Sequence, residues 1–177
     1  MSRYVVEPKS RMDLRKIARD IRKTFHLEKT LWIPIVEMLD VFSDIFDNFS
    51  YEIVEDEKMD KGVHAETNIQ TGEILIKESI YEGACRGNGR DRMTIAHELG
   101  HFITICLYGF HLYRNFEDSD KIYTDPEWQA KCFAGEFMID YSLTKGMSDE
   151  EIAKKCGVSI EAAKYQSVHQ ENMKEGD

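Results

Sequence analysis

Apolar residues in the first part of the chain recur at steps of three and four residues, which is the period of an amphipathic helix. Ser10 and Asp13 form a capping-box pattern before the first helical stretch, and Pro34 suits the first turn of a second. The pattern predicts two N-terminal helices within residues 10–47. Their predicted buried positions are Leu14, Ile17, Ala18, Ile21 and Phe25 in the first, and Met38, Leu39, Phe42, Ile45 and Phe46 in the second.

From Tyr51 onward, apolar and polar residues alternate as they do in strands with one buried face. Three such segments, YEIVE, VHAETNI and EILIKES, lie within residues 51–79, and a short turn at 70–72 joins the last two. They predict a small antiparallel sheet of three strands. Gly83, Gly87 and Gly89 then interrupt the pattern and are expected to break the chain.

The helical period returns in the second half of the chain. One helix is predicted from about Arg90 to Leu107, and another begins at Asp125-Pro126, because aspartate caps a helix and proline favours its first position. Residues 108–124 show no clear period and predict a loop. Ser148 and Ser159 each precede a further short helix.

These elements predict an α+β fold in which a mainly helical single domain, residues 1–177, carries a small three-stranded sheet. Within it we expect N-terminal helices at 10–47, the sheet at 51–79, a central helix pair at 90–140 and a helical C-terminal tail at 148–172. A chain of 177 residues with 42% apolar residues is large enough to build one hydrophobic core.

The charge of the chain limits the classes of partner. A formal net charge of −10 repels a phosphate backbone, so direct nucleic-acid binding is not expected. Residues 1–30 nevertheless hold nine Lys/Arg against four Asp/Glu, which predicts a basic helix that is solvated or docks on the acidic remainder. No apolar run approaches the roughly 18 residues of a membrane span, and the N-terminus does not resemble a signal peptide, so a cytoplasmic location is expected.

Cysteine spacing gives no sign of a structural zinc site, because the four cysteines lie far apart and form no C-x-x-C pair. We expect them to be reduced thiols, most of them packed in the core. They are Cys85, Cys106, Cys132 and Cys156.

The strongest chemical signal lies inside the predicted 90–107 helix, where the chain has His97-Glu98-Leu99-Gly100-His101. Side chains four residues apart share a helix face, with Cβ atoms about 6 Å apart, so both imidazoles can reach one zinc ion. Glu98 is turned about 100° from His97, where it can contact a water on the metal without ligating it. The pattern predicts a zinc site with Glu98 as the catalytic base. The alternative is that both histidines are hydrogen-bonded core residues.

A catalytic zinc usually has three protein ligands. A third histidine in the longer H-E-x-x-H-x-x-G-x-x-H pattern is ruled out, because Thr104 and Leu107 occupy those positions. Glu127 is the best candidate, since it falls on the apolar stripe of its predicted helix, where a charge needs a partner. It can also be a surface carboxylate favoured by the helix dipole. The other candidate ligands are Asp125, Asp140 and His111.

Beyond the zinc signature, the chain resembles the ImmA/IrrE-type metallopeptidases, most strongly over residues 75–140 and more weakly over 10–170. Ile80-Tyr81-Glu82 and the stretch GRDRMTIA at 89–96 are similar to that family's approach to its metal helix. Residues 127–138, EWQAKCFAGEFM, are similar to its E-x-x-A-N-x-F-A-A-x-L-L-M-P segment. The first Glu of that segment is the family's third zinc ligand, and it corresponds to Glu127. Lys131 and Asp140 stand where the family usually has Asn and Pro.

The resemblance implies a zincin-like, gluzincin-type fold with Zn²⁺ as cofactor, held by His97, His101 and Glu127. It also implies cleavage of a partner protein, often a helix-turn-helix repressor of a mobile element or stress response. The alternative is a zinc-stabilised binding module that docks a regulator without proteolysis. A two-histidine, one-carboxylate set also suits Mn²⁺ or Fe²⁺.

Two further features remain open from the sequence. The tail at 148–159 has the cadence of a helix-turn-helix, but its acidity favours packing against the body over DNA contact. Aromatic residues after the metal helix either close the core or donate hydrogen bonds to an oxyanion. These candidates are Tyr108, His111 and Tyr113.

Overall fold

The computed structural model describes residues 6–108 and 122–171, in which helices surround a three-stranded sheet. The predicted α+β class with a mainly helical composition is confirmed. The helices are α1 (Arg11–Thr24), α2 (Glu37–Ile45), α3 (Glu78–Cys85), α4 (Gly89–His101), α5 (Pro126–Met138), α6 (Tyr141–Thr144), α7 (Asp149–Cys156) and α8 (Ile160–Glu171). The strands are β1 (Ser50–Val54), β2 (Ala65–Asn68) and β3 (Glu73–Lys77).

The sheet has the order β1-β3-β2 and is mixed. β2 and β3 form the predicted antiparallel hairpin, but β1 runs parallel to β3, so the prediction of a wholly antiparallel sheet was wrong for this pair. After β1 the chain passes to the far edge of the sheet and returns through the hairpin, which puts β3 in the centre. Ile74 and Ile76 of β3 are fully buried there. Alternation in the sequence predicts strands and their buried faces, but it does not say which strands are neighbours.

The basic N-terminal helix docks on the body of the protein. The Ser10 capping box opens α1, whose apolar face packs against α5. Arg11 Nη1 and Arg15 Nε donate to the buried carboxylate of Glu136 at 2.9 and 2.7 Å. Buried Arg22 donates from Nε to the Phe137 carbonyl oxygen at 2.9 Å. These side chains tie the positive charge of α1 to the last turn of α5.

The helices between residues 34 and 90 differ from prediction in the start of α2, in the exposure of Ile45 and in the presence of α3. α2 begins at Glu37, and Ile45 in its last turn is 55% exposed, because the chain leaves the helix there and Phe46 packs on the core instead. Helix α3 was not predicted, because glycine at position 83 indicates a break in the chain. Gly83 instead lies inside α3, where a Cβ would collide with the Asp91 carboxylate.

Helix α4 packs against α5 over the most extensive helix–helix interface of the described chain. A Cβ at Gly100 would lie 2.8 Å from the Ala130 carbonyl oxygen, so the two backbones approach more closely than any side chain permits. Beyond His101 the predicted helix continues to Leu107 with π-helical winding. Such segments are frequent at functional sites.

The C-terminal tail packs on the rest of the protein, as expected. α7 and α8 meet at Gly157, which has a φ of 64°, and the Gly157 carbonyl accepts a hydrogen bond from Arg92 Nε at 2.8 Å. Gln170 Nε2 donates to the Ile139 carbonyl oxygen at 3.2 Å. Asp140 caps the single turn of α6.

The cysteines are all free, although only two are fully buried. Burial raises the pKa of Cys132 to about 12 and also raises the pKa of Cys156, so both stay protonated near neutral pH. Cys106 packs partly buried against the core and Cys85 is exposed, which agrees with the expectation that most of the cysteines pack in the core. Within the described ranges, no helix combines the length and apolar character that crossing a bilayer requires.

Candidate metal centre

Two histidines meet on one face of α4. The Nε2 atoms of His97 and His101 lie 3.2 Å apart, and the two rings are perpendicular with centroids 4.8 Å apart. His101 is buried, whereas His97 is half-buried and faces an open cleft. The four-residue helical spacing alone sets this arrangement, as predicted from the sequence.

Glu127, in the first turn of α5, closes the group. Its Oε2 lies 3.2 Å from His97 Nε2 and its Oε1 lies 3.3 Å from His101 Nε2. Asp125 accepts a hydrogen bond from the Glu127 backbone N–H at 3.0 Å and so fixes the start of α5. Of the alternative third ligands, Asp125 and Asp140 act as helix caps, and His111 lies outside the described residues.

The side chain of Glu127 is more exposed than its predicted position on the apolar stripe of the helix implied. Its side chain is 70% exposed and opens to the cleft, because the apolar stripe of α5 becomes buried only from Gln129 onward. The partner for its charge is the pair of histidines. Hydrogen bonds from His101 and His97 hold the pKa of Glu127 well below its usual range, so the carboxylate is ionised at neutral pH.

The spacing of the two imidazole nitrogens and the Glu127 carboxylate fits a divalent cation. Tetrahedral coordination with bonds of about 2.0–2.1 Å gives ligand–ligand distances of about 3.3–3.4 Å. The two nitrogens lie 3.2 Å apart, and one carboxylate oxygen lies 3.2 Å from His97 while the other lies 3.3 Å from His101. A neutral imidazole carries only one ring N–H. If each histidine donates from Nε2 to Glu127, the two Nε2–H groups face each other without an acceptor between them, so hydrogen bonds alone explain this arrangement poorly. Within the described ranges, these residues form the group of histidines and acids that can hold a metal ion.

Glu98 lies beside this group, and its carboxylate is held by a residue of strand β2. Its side chain is buried, and Oε2 accepts a hydrogen bond from the hydroxyl of Thr67 on β2 at 2.6 Å. The same hydroxyl lies 3.1 Å from the Glu98 carbonyl oxygen. Thr67 was not predicted to belong to the site. Alternation in VHAETNI places Thr67 on the inner face of β2, but no local signal connects that face with Glu98.

Thr67→Val is expected to lower kcat about 10-fold or more while KM and zinc content stay close to wild type. Valine has nearly the same shape but cannot orient the Glu98 carboxylate, and outer-shell partners of this kind are typically worth 10–100-fold. Steady-state kinetics with elemental analysis would measure the effect. Thr94→Val is the matched control, because its hydroxyl donates to the Arg90 carbonyl of its own helix at 3.2 Å. Equal losses in both variants, or no rescue by Thr67→Ser, would contradict the positioning role.

The cluster lies in an open cleft of about 890 Å³ between β2, α4 and α5. β2 is an edge strand that forms one wall, and α4 and α5 provide the metal cluster opposite it. Tyr108, a candidate oxyanion donor, is 44% exposed and is not among the described residues that line the cleft. His111 and Tyr113 lie outside the described residues.

A second contact that sequence analysis missed secures the start of α5. The backbone N–H groups of Val6 and Lys9 donate to the carbonyl oxygens of Thr124 and Tyr123, both at 3.1 Å. Buried Gln129 donates to the carbonyl oxygens of Glu7 and Tyr123, both at 2.7 Å. The N-terminal segment thus braces the turn that presents Glu127.

Comparison with known proteins agrees with this geometry. Residues 46–167, more than half of the chain, match the model of the M78 peptidases, described as the IrrE N-terminal-like domain. The chain belongs to this family. The resemblance to ImmA/IrrE-type metallopeptidases is therefore confirmed, and membership places the chain among peptidases that are typically metal-dependent.

Similarity to solved structures extends over most of the fold. A transcriptional regulator from Mycobacterium tuberculosis superposes with a TM-score of 0.56 at 13% sequence identity, covering 86% of this chain. The chain spans 45% of the length of that protein, so the likeness concerns the fold alone. No curated protein sequence matches the chain.

Proposed function

We propose that this M78-family protein is a zinc-dependent endopeptidase that hydrolyses a peptide bond in a partner protein. The supporting observation is the convergence of His97, His101 and Glu127 at the distances a tetrahedral ion needs, with Glu98 held separately beside them. A docking scaffold has no use for a second, independently oriented carboxylate at such a site.

In this proposal His97, His101 and Glu127 hold the ion, and Glu98 does the proton transfer. Zinc supplies a Lewis acid that polarises the scissile carbonyl and lowers the pKa of water. The Glu98 carboxylate accepts a proton from the attacking water and delivers it to the leaving amine nitrogen. Thr67 keeps that carboxylate in place by donating to Oε2, which leaves Oε1 for the transferred proton.

The substrate segment is proposed to lie extended along β2. This strand pairs only with β3 in the described part of the chain, so its other edge is open to the cleft. An extended peptide can add to such an edge through main-chain hydrogen bonds. It would then cross α4 next to the metal cluster, because Thr67 of β2 contacts Glu98.

The proposed substrate is a helix-turn-helix repressor of a mobile element or stress response, and its support is the family resemblance. We further propose that residues 1–177 act as one metallopeptidase domain in the cytoplasm. The competing function is a zinc-stabilised module that docks a regulator without cutting it.

The test is incubation of the zinc-loaded protein with candidate helix-turn-helix repressors, followed by intact mass measurement of the products. We expect one or a few discrete cleavages that stop when a chelator removes the metal and resume when zinc is added back. A stable complex with an uncut repressor, in the presence of stoichiometric zinc, would overturn the peptidase proposal in favour of docking.

A further inference from the structure

The two ends of the cleft differ in character. Helix α4 runs along it from Arg90 to the residues beyond His101, so each end of the helix marks one end of the cleft. At the Arg90 end, the Arg90 guanidinium lies 3.5 Å from His64 Nε2 at the start of β2. The opposite end is apolar. Its lining residues include Val6, Ile69, Ile105 and Pro126.

Lys131 adds a second cation to the Arg90 end. It follows Glu127 by one helical turn and lies on the same side of α5, and together with Met93 it lines the cleft. Its exposed ammonium stands 4.5 Å from the ring centroid of Tyr165. A side cavity of about 330 Å³ adjoins the cleft here, and Lys131 lines both spaces.

Neither cation is neutralised by a neighbouring acid. Among residues 6–108 and 122–171, Arg90 and Lys131 form no ion pair, whereas Arg11, Arg15 and Arg19 all do. Two unpaired cations in the cleft contrast with the net charge of −10 for the whole chain.

Besides Glu98 and Glu127 of the metal centre, two acids line the cleft. Glu66 is exposed on β2, where its side chain alternates with that of Thr67. Asp125 lies at the apolar end and caps α5. Glu161 lines the side cavity on α8 and is exposed. Arg90 and Lys131 are the lysine and arginine side chains that line the cleft among the described residues, and neither is ion-paired with these acids.

We propose that Lys131, with Arg90, is a specificity-determining residue that selects a substrate segment with an acidic side chain on the Arg90 side of the scissile bond and apolar side chains on the other. This selection rests on the proposed function, since the occupant of the cleft is the substrate segment.

The test measures binding and cleavage separately. The probes are short fluorescent peptides with the same apolar half and a second half that carries Glu, Gln or Lys. Each peptide is made twice, once with the apolar half first and once with it last. Anisotropy gives their affinity for zinc-loaded Glu98→Gln protein, and wild-type protein gives cleavage. In one of the two orders, we expect the Glu peptide to bind about tenfold more tightly than the Lys peptide. The two peptides differ by two unit charges, and each is expected to change the affinity about three- to fivefold.

Charge reversal supplies the decisive comparison. In the Glu98→Gln background, Lys131→Glu should abolish the preference, because the new carboxylate offsets the charge of Arg90. Reversing both, Lys131→Glu with Arg90→Glu, should invert it so that the Lys peptide binds better, an exchange that a merely structural role cannot produce. Lys145→Glu, which reverses an exposed lysine outside the cleft, is the matched control and should leave the preference unchanged. Thermal melting of each variant checks that the fold is retained.

The outcomes separate the two proposals. Equal binding of Glu and Lys peptides, no measurable binding of any, or a preference that Lys131→Glu leaves intact would overturn the selection by Lys131. Retained preference for acidic peptides without cleavage by zinc-loaded wild-type protein would count against the peptidase proposal and leave the charge selection standing.

Discussion

Glu98→Gln is expected to keep stoichiometric zinc and to lower the rate of peptide hydrolysis by about 10²–10⁴-fold, the range of a general acid–base group. The amide has the shape of the carboxylate and still accepts the Thr67 hydrogen bond through its oxygen, so the local structure is retained. It cannot take a proton from water at neutral pH. Glu98 also lies outside the His97–His101–Glu127 group, so its neutralisation leaves the metal donors intact.

Zinc content by elemental analysis and cleavage by intact mass would be measured on the same preparation. Glu78→Gln is the matched control, because this glutamate is exposed in the first turn of α3 and does not line the cleft. Hydrolysis at the wild-type rate would remove Glu98 from the mechanism. Loss of zinc together with activity would instead make Glu98 a contributor to metal binding.

Local signals predicted the parts of the site that lie on one helix. The spacing of His97 and His101 depends only on helical geometry, and α4 forms over the predicted range because Asn88 caps its start and its apolar positions face the core. Asp125-Pro126 likewise predicted the start of α5, and with it the position of Glu127. A short sequence determines such features because each interaction spans only a few residues.

Features that join distant segments could not be predicted in this way. The bond from Thr67 to Glu98 spans 31 residues, and the bonds from Val6 and Lys9 to the turn before α5 span more than a hundred. The parallel pairing of β1 with β3 depends on the path of the chain through residues 55–72. These contacts follow from packing of the whole core, for which alternation and helical period carry no information.

The placement of Glu127 beside His97 and His101 was predicted for a reason that the structure supports only in part. Its position on the apolar stripe suggested a buried charge that needed a partner. The structure instead leaves the carboxylate exposed in the cleft, with the histidines as its partners. The family resemblance pointed to the same residue for a different reason, namely its alignment with the third zinc ligand, and that reason agrees with the geometry.

His101→Ala is expected to reduce zinc affinity by more than about 100-fold and to abolish peptide hydrolysis. Loss of an outer-shell partner alone typically costs 10–100-fold in metal affinity, and a directly coordinating imidazole contributes more. The substitution removes one of three donor atoms and leaves His97 Nε2 and Glu127 facing each other at 3.2 Å. Two protein ligands do not make the three-ligand site that a catalytic zinc requires.

Zinc competition with a chromophoric chelator would measure the affinity, and thermal melting gives an independent readout. Zinc that binds only the folded protein should raise the Tm of the wild type in proportion to the logarithm of its concentration, but not that of His101→Ala. His64→Ala is the matched control, because this histidine lines the same cleft but lies outside the metal group. Stoichiometric zinc bound to His101→Ala at wild-type affinity would show that the ion is held elsewhere. The proposal of zinc-dependent hydrolysis at this site would then be wrong.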